Sequence, residues 1–99
     1  MTYQMEPKIK IGPITYDVVE EPGLLVNEKF AGCIRYIDCK IAIDVNMSPQ
    51  AKRKTLWHEI VHAILTEAGY SKQKESMVDA LTYGIMGVLL DNPWLMNIG

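Results

Sequence analysis

Ninety-nine residues, 48% of them hydrophobic and 22% charged, suffice for one folded domain with one core and are too few for two. Ten Lys and Arg against twelve Asp and Glu give a formal charge of −2, so no global positive field draws a nucleic-acid backbone. The longest uncharged stretch, Ala80 to Leu90, is well short of the roughly 18 apolar residues a membrane span needs, and the first ten residues lack the basic-then-apolar order of a secretory signal. The expectation is a cytoplasmic chain with no nucleic-acid and no membrane partner, in which Cys33 and Cys39 remain thiols.

The segment Lys8 to Glu20 is rich in β-branched residues and interrupted by Gly12-Pro13, which predicts a hairpin. Glu21-Pro22-Gly23 closes it, and the stretch to Gly32 has no clear period and reads as an irregular connection. Cys33–Tyr36 and Lys40–Val45 predict two further strands around a turn near Asp38. Alternation of Ile41, Ile43 and Val45 with Lys40, Ala42 and Asp44 predicts one buried and one half-exposed face for the second of them. Ser48-Pro49 then supplies an N-cap and a proline at the first helical position, and Gly69 a stop, giving a helix over about 49–68. Its apolar residues cover more than half the circumference, which predicts a helix enclosed by other elements. A second helix is expected over about 72–90, with Met77, Leu81, Ile85 and Val88 as its core stripe, before Asn92-Pro93 ends it. The fold class that follows is α+β: a small N-terminal antiparallel sheet (strands within about 8–45) followed by two long helices, as one domain over 1–99. The apolar tail Pro93–Gly99 is expected to fold back over the helices or the sheet, with a docking surface as the alternative.

The only two histidines, His58 and His62, frame the motif His-Glu-Ile-Val-His in the middle of the first helix. A spacing of four residues sets both imidazoles on one helix face, where each can direct a nitrogen at one Zn²⁺, while Glu59 points beside the metal in the position of a general base. A catalytic zinc takes three protein ligands as a rule, and the second helix offers Glu75, with Asp79 one turn on to accept a hydrogen bond from a ligating histidine. Glu67 and Asp79 itself are rival third ligands. Tyr36 and Tyr83 are candidate donors to an oxyanion but more simply pack their rings; Lys52, Arg53 and Lys54 read as a solvated face.

His58-Glu59-Ile60-Val61-His62 followed by Glu75-Ser76-Met77-Val78-Asp79 resembles the HExxH plus ExxxD zinc peptidases called gluzincins, and is most similar to the small ImmA/IrrE-like metallo-endopeptidases, in a minimal zincin-like domain. The resemblance implies that His58, His62 and Glu75 ligate Zn²⁺, that Glu59 is the catalytic base, and that the substrate is an intracellular protein or peptide, such as a regulator in a phage or mobile element. The expected function is therefore zinc-dependent peptide hydrolysis, with an extended substrate added alongside Lys40–Val45 if that strand is a sheet edge. The alternative is a non-catalytic zinc-stabilised interaction module whose apolar tail binds a partner.

Overall fold

A computed structural model describes the backbone of residues 3–28 and 30–97, and the side chains of residues 8–27 and 30–97. The α+β expectation holds: a four-stranded sheet, β1 (Tyr3–Ile11), β2 (Ile14–Glu21), β3 (Gly32–Arg35) and β4 (Lys40–Asp44), precedes two helices, α1 (Pro49–Glu67) and α2 (Glu75–Asp91). The sheet order is β1-β2-β4-β3. Two pairings are antiparallel, β1 with β2 and β3 with β4, but β2 and β4 run parallel, with Val19 opposite Ala42. The expected all-antiparallel sheet is thus mixed. The cause is the connection after β2, which carries the chain back across the sheet so that β4 enters beside β2 in the same direction, a parallel pair that no tight turn could make.

That topology changes the role of β4. It lies between β2 and β3, so Lys40–Val45 cannot accept a further strand along its length; the edges are β1 and, next to β4, β3. Both faces of β4 are covered, where one half-exposed face was expected. Ile41 and Ile43 meet Ala63, Leu56 and Ile60 of α1, while Ala42 packs with Val19 and Leu24 on the other side. The covering segment is a single π-helical turn, Leu24–Glu28, within the stretch read as irregular. Asp44, only 2% exposed, holds it in place: its carboxylate accepts the Leu25 and Asn46 backbone N–H groups, each at 2.8 Å.

Helix α1 begins as its sequence dictates. Ser48 Oγ accepts the Ala51 N–H at 3.2 Å and Pro49 occupies the first turn. At the other end Gly69 takes φ +99°, and the Tyr70 and Gly69 N–H groups bond the Leu65 and Thr66 carbonyls at 2.8 and 3.0 Å, the Schellman stop that needs a residue free of a Cβ. The helix is not enclosed: Val61 and Ala63 are buried, but Ile64, which falls between them around the circumference, is exposed. A four-layer enclosure would need more chain than the two helices and one sheet supply.

Helix α2 starts at Glu75, three residues later than expected: residues 71–74 are in no regular element and Lys74, the residue before the helix, is extended. Its buried side chains are Val78 and Thr82. The expected core stripe is off by about a quarter of the helix circumference: Met77, Leu81 and Val88 are exposed and Ile85 is half-buried. The tail reading is overturned as well for the described residues, since Pro93–Asn97 forms a 3-10 turn against the end of α2 with Trp94 61% and Met96 72% exposed. Residues 98 and 99 of that tail lie outside the described residues. No described helix is long and apolar enough to cross a membrane.

The backbone N–H groups of Leu25 and Asn46, with that of Leu24 beside them, hold the Asp44 carboxyl below the usual carboxylate range, outweighing the opposing effect of burial. The stability it contributes is present above the ordinary value and lost as pH falls through the lowered one. Urea unfolding of wild type and Asp44→Ala should therefore differ most near neutrality, with the gap closing as the solution is acidified; a gap independent of pH would contradict this.

Candidate metal centre

The lower turns of α1 and the first turn of α2 bring the predicted residues together. Glu75 Oε2 lies 3.0 Å from His58 Nε2, and its Oε1 lies 2.9 Å from His62 Nε2, so one carboxylate spans both imidazoles. The rings stand 4.8 Å apart at 72°. His58, His62 and Glu75 form a group able to hold a metal ion, with one ligand atom from each within 4.8 Å of the others. Bonds of about 2.0–2.1 Å in a tetrahedral shell place neighbouring ligand atoms a little over 3 Å apart, a spacing these side chains already approach.

The other ring nitrogens are held too. His58 Nδ1 is 3.0 Å from Asp79 Oδ1, the position expected for Asp79. His62 Nδ1 is 2.7 Å from Oε1 of Gln73, a residue the sequence reading missed. The amide orientation of Gln73 is set by its own partners: its Nε2 donates to the Tyr70 carbonyl at 2.6 Å and to Thr66 Oγ1 at 2.9 Å, which leaves the oxygen for the histidine. Both Nδ1 atoms thus face acceptors and carry the protons. Each Nε2 then presents a lone pair to a carboxylate oxygen that also has only lone pairs to offer. Two such contacts repel unless each ring takes a second proton or a cation lies among the three groups. The donor set therefore fits a divalent metal, with nitrogen ligands of the type that zinc accepts.

Glu59 is 8% exposed, and burial raises its carboxyl above the usual range, against the lowering effect of His58 and His62. It lines a cleft of about 460 Å³ together with the triad and with Gly32, Cys33, Ile34 and Tyr36. The edge strand β3 thus forms one wall and the helices the other. Gly32 makes this approach feasible: a Cβ there would sit 2.7 Å from Thr55 Cγ2, 3.0 Å from the Ala42 carbonyl and 3.5 Å from Glu59 Cγ.

The remaining candidates separate. Glu67 stands at the far end of α1, where it accepts the Tyr16 hydroxyl at 3.3 Å, outside the triad; burial and that carboxylate push Tyr16 up to about 12. Tyr36 lines the cleft, its hydroxyl 3.0 Å from Thr66 Oγ1. Tyr83 lies elsewhere, its ring 4.9 Å from the Lys54 ammonium. Neither cysteine is in a disulfide. Gln73 falls within the helix expected over about 72–90, and nothing in its type or spacing marks an amide as a histidine partner.

Comparison of the chain with protein-family models, with curated proteins and with solved structures found no match.

Two substitutions test this geometry. Gln73→Ala should weaken metal binding by about 10- to 100-fold while leaving the far-ultraviolet circular dichroism unchanged, because it frees the His62 ring and its tautomer; zinc affinity equal to wild type would remove Gln73 from the site. Gly32→Ala should cost about 1–3 kcal/mol by forcing β3 away from α1, read as a lower thermal midpoint. An unchanged midpoint would mean that the strand and helix separate freely.

Proposed function

We propose that the protein is a zinc-dependent peptidase acting on an intracellular protein or peptide. The observation that carries this reading is the combination of a metal-capable triad with a buried carboxylate, Glu59, that is free of the triad and opens on the same cleft. A purely structural zinc site is closed by four protein ligands, whereas this triad offers three and faces a cleft.

His58, His62 and Glu75 would hold the ion. When bound, zinc supplies Lewis acidity, polarising a carbonyl and bringing the pKa of water near 7. Glu59 takes the proton of the attacking water on its carboxylate and delivers it to the leaving amine. Its burial suits both halves of that task, because a carboxyl raised above its usual range releases a proton less readily and so can carry it between the two steps. Asp79 and Gln73 hold the two rings in the Nδ1-protonated tautomer. An extended substrate fits along β3, the edge strand on the cleft, in place of the Lys40–Val45 segment suggested by sequence. The likeness of the motifs to ImmA/IrrE-like peptidases supports the same reading, including a regulator of a phage or mobile element as the kind of protein cut.

A second reading, a zinc-stabilised interaction module, draws on the exposed apolar side of α2. Glu59 discriminates the two. Purified wild type should carry about one zinc per chain and cleave a peptide library. Glu59→Gln should retain the zinc and lose about 10²- to 10⁴-fold in rate. Zinc retention with no cleavage by wild type, in the library or in a comparison of host-cell protein termini, would favour the interaction module.

A further inference from the structure

The side of α2 turned away from the body is apolar and regularly spaced. Met77, Leu81, Gly84 and Val88 succeed one another at intervals of four, three and four, the spacing of a helix–helix seam, and all four are exposed. A concavity of about 410 Å³ is lined by α2 alone, including Leu81, Gly84, Ile85 and Val88. Gly84 and Gly87 lie in the helix interior, where glycine costs about 1 kcal/mol relative to alanine. Among the described residues nothing requires them, since a Cβ at either would meet no atom within 4 Å. A glycine at the centre of an apolar seam is explained when a second backbone comes close to it.

We propose that this seam is the two-fold interface of a homodimer in which two α2 helices pair antiparallel and cross at Gly84. The charges at its ends favour a second copy. Lys72 and Lys74 precede the helix, Asp91 ends it, and none of the three makes an ion pair among the described residues. Between them no residue of the seam from Leu81 to Val88 is charged. Antiparallel pairing sets the basic start of each helix beside the acidic end of its mate, twice by symmetry, and opposes the helix dipoles. A parallel arrangement would put like ends together. Counting outward from Gly84, Met77 of one copy falls opposite Asp91 of the other, so the paired length covers the whole of α2. Pairing would also cover Met77, Leu81 and Val88, large apolar side chains that a monomer leaves in water.

Sedimentation of the full chain across micromolar to millimolar concentrations should give twice the 11.2 kDa chain mass, falling to one chain mass in Leu81→Glu. Should Leu81→Glu lose its helical circular dichroism, Val88→Glu serves in its place. Position 84 lies on the two-fold axis and meets itself, so Gly84→Cys should form an intermolecular disulfide on mild oxidation, faster than wild type and faster than Leu90→Cys, which places a thiol on a different side of the helix. A wild-type mass of one chain at every concentration would overturn the proposal and leave the face to another partner. Crosslinking at position 90 but not at 84 would overturn it equally, by showing a dimer built on another surface.

Discussion

Everything at the candidate site hangs on one carboxylate reaching two imidazoles. Glu75 sits on the first turn of α2, and its two oxygens meet Nε2 of His58 and of His62 on α1. The contact fixes where α2 lies against α1, and with it where Asp79 falls, one turn further along and beside the outer nitrogen of His58. Val78 and Thr82, the buried residues of α2, hold the same alignment from the core side, with the Thr82 hydroxyl donating to the Val78 carbonyl at 2.7 Å. The loop before α2 contributes the fourth constraint through Gln73, which is tied simultaneously to the carbonyl of Tyr70, to Thr66 and to His62.

How much of this was legible in the sequence depends on the range of the interaction concerned. Helix α1 was readable to within a residue because its limits are set by local chemistry, a Ser48 cap, a Pro49 start and a left-handed Gly69. The i, i+4 histidines were readable for the same reason, and the ExxxD pair nearly so. Strand order was not. Nothing within Lys40–Val45 distinguishes a strand between two neighbours from one at an edge, and the outcome turns on a crossover whose direction is a property of the whole sheet. The face of α2 was misassigned because the helix is apolar around most of its circumference, so periodicity alone could not choose between Val78 with Thr82 and Met77 with Leu81. The metal residues would have chosen correctly: Glu75 and Asp79 must face α1, which turns Met77, Leu81 and Val88 outward.

The same rotation explains why α2 is apolar on two sides. One side is committed to the histidines and to the sheet-packed body, and the other carries the glycines and the exposed seam. A helix serving a single core would have no use for the second. The sequence between Ala80 and Leu90, uncharged throughout, supplies apolar side chains to both of these sides.

Charge balance at the site points the same way as its geometry. The cluster holds two imidazoles whose outer nitrogens face Asp79 and Gln73, and beside them the carboxylates of Glu75 and Asp79. One outer partner is charged and the other is a neutral amide. A divalent ion among the three ligands would be matched by Glu75 and Asp79, two negative charges for two positive. Had Gln73 been a glutamate, the set would be overcharged; had Asp79 been an amide, it would be undercharged. Glu59 lies outside that balance. Its carboxylate is buried, its charge is opposed by desolvation and by Glu75, and only the histidines favour its ionised form. In the proposed reading, a carboxyl not needed to neutralise an ion, desolvated yet open to the same cleft, would exchange a proton rather than hold a charge permanently.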